Sequence, residues 1–225
     1  MSTPELHLQT LFQLNDAGRI VSTREPHASH GPAFTLVRSP KRCAWAVHAG
    51  VAHATARELN RLAQDEPPLS RLRDEPVHMS EYQTLIAGQV HSGPAFSFPP
   101  ALPPPPAEVV AIWEERLLER HFQGWMEGEI SAGRAPVMAV LDRGYPVSIC
   151  FSARSSEAAA EAGVETAADY RARGLAATVT AAWAMAVKAS SRVPLYSTDW
   201  SNTPSLGLAR KLGLEPYAAA WSLSI

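Results

Sequence analysis

Only two cysteines, Cys43 and Cys150, occur in the 225 residues, and they stand far apart without CxxC spacing. That scarcity excludes a disulfide framework and a cysteine zinc site, and it leaves both thiols as small buried hydrophobes. No apolar run reaches the roughly 18 residues that cross a bilayer, and the opening MSTPELHLQT lacks the basic-then-apolar order of a secretory signal. A dominant charge is missing too. Lys and Arg number 20 against 22 Asp and Glu, a formal net of −2, which argues against a nucleic-acid or polyanionic partner. These absences lead to the expectation of a soluble, cytoplasmic chain with neither nucleic acid nor membrane as partner.

What is present starts with 46% apolar residues, enough for one large domain or two small ones. Proline is concentrated: seven of 19 (Pro94, Pro99, Pro100 and Pro103 to Pro106) fall within thirteen residues. Such a run fixes φ and favours extended polyproline II geometry, so 95–106 is expected to be a stiff linker between residues 1–94 and 107–225.

Ahead of the prolines the pattern is α+β. Leu6 to Leu14 and Arg19 to Thr23 flank Asn15-Asp16-Ala17-Gly18 and predict a hairpin. Further strands are expected at Phe34 to Val37 and Cys43 to Val47, a helix over 51–64 stopped by Pro67-Pro68, and a short helix over Ser80 to Ile86 with Ser80 as N-cap. Seven histidines lie in this region. The pairs His27 with His30 and His48 with His53 lack a carboxylate or cysteine at ligand spacing, so they are taken as solvated or capping residues and no metal is expected.

After the prolines, Glu108 to Ile130 places apolar residues, Trp113 and Trp125 among them, at helical spacing interrupted near Gly124. One bent helix or two consecutive ones are expected, with the tryptophans in the core. Pro136 to Leu141 and Pro146 to Ser152 predict a hairpin about Asp142-Arg143-Gly144-Tyr145. Strands are expected at Ala162 to Thr166, Pro194 to Thr198 and Tyr217 to Leu223, and an amphipathic helix over Gly174 to Ala189. Thr203 is the expected N-cap of a last helix beginning with Pro204, and Gly213 its left-handed end.

The chemistry concentrates at Tyr170-Arg171-Ala172-Arg173-Gly174-Leu175-Ala176, between a strand and the long helix. A tight turn opening a helix aims unpaired N–H groups and the positive dipole end at one point, which suits a phosphate or pyrophosphate. Gly174 permits close approach, Ala176 stays small, and Arg171 and Arg173 add charge. The spacing is neither GxGxxG nor GxxxxGK[ST].

Arg171-x-x-Gly174-x-Ala176 resembles the R/Q-x-x-G-x-G/A acyl-CoA signature of the GNAT superfamily of N-acetyltransferases. Its surroundings resemble the family as well: strand, loop, helix, strand, Asn202, helix and Gly213-Leu214 succeed one another in the family's order. The resemblance covers about residues 95–225 and is strongest to bacterial members carrying an extra N-terminal α+β region, which in some tandem relatives is a degenerate GNAT-like module. It implies an α+β fold with a mixed sheet and acetyl-CoA as cosubstrate. The amides of Arg171, Ala172, Arg173, Gly174, Leu175 and Ala176 would hold the pyrophosphate, and the strand bearing Gly163, Val164, Glu165 and Thr166 would splay from its neighbour to bond the pantetheine arm. Asn202 would contact a pantetheine amide with Ser205 one turn on, and Arg210 and Lys211 stand near the nucleotide phosphates.

The implied activity is direct transfer of an acetyl group to a primary amine, on an acceptor expected to be a small molecule. A homodimer is the expected assembly. A protonated amine needs a base, for which Glu165 is the first candidate and Asp199 the alternate. Glu165 lies on the strand face opposite Val164 and Thr166, so that face has to meet the substrate. The family's thiolate-protonating tyrosine, four residues before the glycine of Gly-Leu, is here Ala209. Tyr217, Tyr196 or water replaces it, or the thiolate leaves without an acid, or the chain is a non-catalytic acyl-CoA-binding module.

Overall fold

The computed structural model describes residues 2–102, 104 and 108–225. Pro103, Pro105 and Pro106 of the expected linker lie outside the described residues. The elements run α1 (Pro4–Leu11), β1 (Phe12–Leu14), β2 (Ile20–Thr23), β3 (Phe34–Arg38), β4 (Cys43–Val47), α2 (His53–Gln64), α3 (Met79–Leu85), β5 (Gln89–Ser97), β6 (Val109–Ile112), β7 (Val137–Asp142), β8 (Tyr145–Ser155), β9 (Ala159–Thr166), α4 (Leu175–Ala189), β10 (Val193–Ser197), α5 (Thr203–Lys211) and β11 (Glu215–Ser224). None of the described helices is long and apolar enough to cross a membrane.

β3 to β11 form one mixed sheet of nine strands in the order β4-β3-β11-β5-β10-β9-β8-β7-β6. β9 and β10 are its parallel pair. β5, from the N-terminal side of the prolines, lies between β10 and β11, so both halves of the chain share this sheet. Residues 95–97, expected in the linker, belong to that strand.

Strand alternation divides the side chains between two faces. On one, termed the α4 face, Cys150, Ala160 and Tyr196 pack with Val179, Trp183 and Val187 of α4, and Phe34, Leu36 and Trp221 pack with Leu59 and Leu62 of α2 and Tyr82 of α3. On the other, termed the α1 face, Val37, Ala95 and Ala218 lie under Leu8 and Leu11 of α1, while Ile149 and Phe151 lie under Leu118, Phe122 and Ile130.

Several expectations need correction. Leu6 to Leu11 is helical because Thr3 accepts from Leu6 N at 3.2 Å, Pro4 pre-sets φ in the first turn and Glu5 meets the dipole. Residues 108–130 form no α-helix: Val109–Ile112 is strand β6, followed by a single 3₁₀ turn at Glu115–Leu117, and Gly124 and Gly128 take φ of 101° and 88°. Trp113, expected in the core, is 71% exposed. Ser80 lies inside α3, whose N-cap is His78. Asn202, not Thr203, caps α5. The remaining strands and helices fall where expected, and the β7–β8 turn places Arg143 at φ 49° and Gly144 at φ 82°.

Candidate active site

The pairing of β9 with β10 ends at Glu161↔Leu195. Beyond it β9 continues to Thr166 paired only with β8, so one edge of residues 162–166 is open toward the gap. Tyr196 and Ser197 turn their other edge to β5. An open strand edge offers alternating N–H and C=O groups to an amide-rich ligand.

Past β9 the chain makes a 3₁₀ turn at Ala168–Tyr170 and enters α4 through Ala172 at φ 60° and Gly174 at φ 84°. The second value is left-handed, where glycine carries no steric penalty. Among the described residues, the backbone N–H groups of residues 172–176 have no hydrogen-bond partner, so they and the N-terminus of a 15-residue helix face one spot. Lys211 Nζ comes within 2.9 Å of where a Cβ on Gly174 would stand, which brings the last turn of α5 over the loop.

A cavity of about 850 Å³ lies along the open end of β9. Val164 lines it from the α4 face and Glu165 from the α1 face, with the 171–177 turn at one end and Ser205, Gly207 and Lys211 along one side. His121 and Phe122 also line it. Sequence periodicity assigned them to a helix and gave them no part in the site.

The candidate cofactor residues divide. Val164, Glu165, Thr166, Arg171, Ala172, Gly174, Leu175, Ala176 and Ser205 line the cavity. Arg173 turns aside, donating to Asp169 O at 2.6 Å and lying 4.9 Å from the Tyr170 ring. Gly163 serves packing: a Cβ there would stand 2.6 Å from the Phe151 ring. Asn202 lies outside the cavity wall, its Oδ1 accepting from Ser205 N at 3.1 Å. No group of three or more His, Cys, Asp or Glu side chains among the described residues is arranged to hold a metal.

The three candidate catalytic residues do not converge. Glu165 is half-buried, and burial raises its pKa; nearby Arg134 opposes that rise and Glu129 adds to it. Asp199 is exposed, its carboxylate held below the usual range by Ser201, whose Oγ and N donate at 2.6 and 2.8 Å. Tyr217 lies on the α1 side with its Oη 2.9 Å from His7 Nδ1, and burial first, then the Glu161 charge, raises its pKa. Ala209 is buried against α4. Packed with it is Tyr196, whose Oη donates to Ser205 O at 3.3 Å, while Tyr170 is the tyrosine in the cavity lining. Burial raises the pKa of Tyr196, partly offset by that hydrogen bond.

A family model described as GNAT acetyltransferase matches residues 112–219. No curated protein matches the chain in sequence. Among solved structures, an acetyltransferase of the GNAT family from Novosphingobium aromaticivorans superposes with a TM-score of 0.50 at 23% identity, covering 60% of this chain and 64% of that one, under two thirds of its length. A GCN5-related N-acetyltransferase-like protein from Streptococcus suis gives 0.49 at 18% identity over 86% and 84% of the two chains. A tandem GNAT protein from the clavulanic acid biosynthesis pathway gives 0.49 at 14% over 92% and 80%. The first of these likenesses is one of fold.

Proposed function

We propose, since a family model described as GNAT acetyltransferase matches residues 112–219, that the chain is a cytoplasmic enzyme that moves an acetyl group from acetyl-CoA to a primary amine of a small acceptor. The observation that carries this is the gap itself. Parallel pairing stops at Glu161↔Leu195, and the cavity along the freed end of β9 reaches an unsatisfied helix N-terminus. The amides of residues 172–176 and the Arg171 and Lys211 cations suit a pyrophosphate. The open edge of residues 162–166 suits the amide-bearing arm. A strand N–H near Val164 suits the oxyanion formed when an amine attacks the thioester carbonyl.

The departing sulfur needs a proton or must leave as thiolate. Ala209 supplies none, and Tyr196 is a phenol on that face of the sheet. Ala209 is also the observation that favours the second reading, a module that binds acyl-CoA without turnover.

Thermal unfolding with and without acetyl-CoA tests the binding half. A ligand at 100 times its Kd stabilises by about 2.7 kcal/mol, so a clear upward shift is expected at millimolar acetyl-CoA. Gly174→Trp is expected to abolish the shift while far-UV circular dichroism stays native, since its side chain enters the phosphate spot beside Lys211. A flat response of the wild type would overturn the reading. Thiol release with an amine panel tests the transfer half, and binding without release at any amine selects the second reading.

A further inference from the structure

On the α1 face a second cavity, of about 610 Å³, lies over β10, β5 and β11. It stands on the other side of the splayed strands from α4, and Ser197 is in its wall. Behind Ser197 lies Glu161, on the last rung that β9 shares with β10. Glu161 is only 5% exposed, and its Oε1 accepts a hydrogen bond from Ser197 Oγ. The open edge of β9 begins at this rung.

The charges around the rung do not cancel. Arg154 on β8 has Nη1 3.9 Å from Glu161 Oε2, and its Nε donates to Glu25 Oε1, from the segment between β2 and β3, at 2.6 Å. One guanidinium therefore faces two carboxylates. His7 of α1 adds no compensating charge, because burial lowers its pKa and leaves it neutral. Tyr217 on β11 is a neutral phenol. Asp199 in the cavity wall adds a further negative charge. The net field favours a cation.

The wall is also rich in hydroxyl-bearing residues: Thr23, Ser29, Thr198 and Ser222 join Ser197 in it. Each hydroxyl both donates and accepts, which suits a ligand carrying hydroxyls of its own. His7, in the same wall, is fully buried, with Nδ1 on Tyr217 and Nε2 without a partner among the described residues. Such an orphan is uncommon in a folded interior and points to a polar group the structure does not hold.

We propose that this cavity is the acceptor site, that the acceptor is a small primary amine carrying hydroxyl groups, and that Ser197 relays the ammonium proton to Glu161. The proposal rests on the acetyl-CoA reading above. In the step, one ammonium proton passes to Ser197 Oγ as the serine's own proton passes to Glu161 Oε1. The freed lone pair forms the C–N bond at the thioester carbonyl carbon, and the C–S bond breaks with its electron pair going to sulfur. The second proton lost by nitrogen goes to that thiolate, and Glu161 returns the first to solvent. Ser197 touches the substrate and is the catalytic residue. Glu161 acts through it. Both the cavity and the Glu25 anchor draw on residues ahead of the matched segment, so the N-terminal region completes the site.

The test is steady-state thiol release by the full chain from acetyl-CoA, with glucosamine as the hydroxylated probe and n-butylamine as the hydroxyl-free one. Glucosamine is expected to give a kcat/KM at least tenfold higher. Ser197→Ala is expected to lower kcat about 100-fold, the low end of general acid–base contributions, with an unchanged acetyl-CoA thermal shift, and Ser197→Thr to recover most of it. Glu161→Gln is expected to match Ser197→Ala in kcat while the acetyl-CoA KM stays unchanged. Should Glu161→Gln fail to fold, the Ser197 pair of variants decides the matter. Full kcat in Ser197→Ala, preference for n-butylamine, or acetyl-CoA binding without transfer to either amine overturns the proposal and spares the cofactor reading. Absence of acetyl-CoA binding overturns both.

Discussion

A fragment starting at residue 107 keeps the whole segment matched by the family model and is expected not to fold. The reason is β5, which runs between β10 and β11 and is supplied by residues 89–97. Removing it bares both neighbours as long unpaired edges, a configuration prone to aggregation. It also deletes Phe96, whose ring lies 6.2 Å from Tyr196, and the truncation takes with it Phe98, 6.0 Å from Trp183. Losing a buried Phe typically costs about 3–5 kcal/mol, so two cost roughly 6–10 kcal/mol before any strand hydrogen bond is counted. Total stability of a domain is about 5–15 kcal/mol. The check is circular dichroism, size exclusion and thermal unfolding of 107–225 beside the full chain. A fragment of 107–225 that is monomeric, unfolds cooperatively and keeps its acetyl-CoA shift would refute the assignment of β5 to the middle of the sheet.

Three further outcomes rest on single residues. A Cβ on Gly93 would stand 1.7 Å from Thr198 O, so Gly93→Ala is expected to displace residues 198–200, break Thr198 N→Pro94 O and Trp200 N→Ser92 O, and cost about 2–4 kcal/mol, seen as a Tm drop of roughly 5–15 °C. An unchanged Tm would contradict that close approach. Glu165 has a raised pKa, so its contribution to stability is present below the ordinary glutamate range and lost as pH rises through the folded value. Glu165→Gln is therefore expected to raise Tm relative to wild type near pH 7 and not near pH 4, in paired melts across that range; a variant less stable at pH 7 would show the carboxylate to be favourably paired. Tyr196→Phe is expected to lower kcat for thiol release while the acetyl-CoA KM stays put, and an unchanged kcat would leave the thiolate without a protein acid.

Local signals carried most elements and the loop. The β7–β8 turn, α4 behind Gly174 and the left-handed Gly213 all lie where turn and cap chemistry put them. The failures have identifiable causes. In α1 the alternation of Leu6 and Leu8 competed with a start signal in Thr3-Pro4-Glu5, and the cap prevailed. In 114–130 the apolar spacing was helical, yet Gly124 and Gly128 adopt positive φ, and burial of Leu118, Phe122 and Ile130 is achieved by turns. The place of β5 had no local signal. Pro94 argued for a boundary, but it stands just outside the short pairing with β10, where its carbonyl accepts from Thr198 N and no ladder N–H is required of it. Glu161 and Ser197 were equally silent, because only the nonlocal register of β9 with β10 brings them together.

The near-zero net charge conceals a division that the sheet turns into a spatial one. Residues 107–170 hold 5 basic and 11 acidic side chains, whereas 171–225 hold 6 and 2. In space Glu161 and Glu165 share the α1 face of β9, with Glu129 near Glu165, while Arg171 and Lys211 stand around the α4 N-terminus. Acid therefore gathers where, on the proposed reading, an ammonium would dock and base where a pyrophosphate would. Arg154 and Arg134 stand on the acidic side, and both face carboxylates, Glu25 and Glu161 for the first, Glu129 for the second. The proposed anionic cosubstrate and cationic acceptor would thus each be drawn to one side of the same pair of strands, where β9 and β10 part. A chain of nearly neutral total charge can in this way steer two oppositely charged ligands to a single gap.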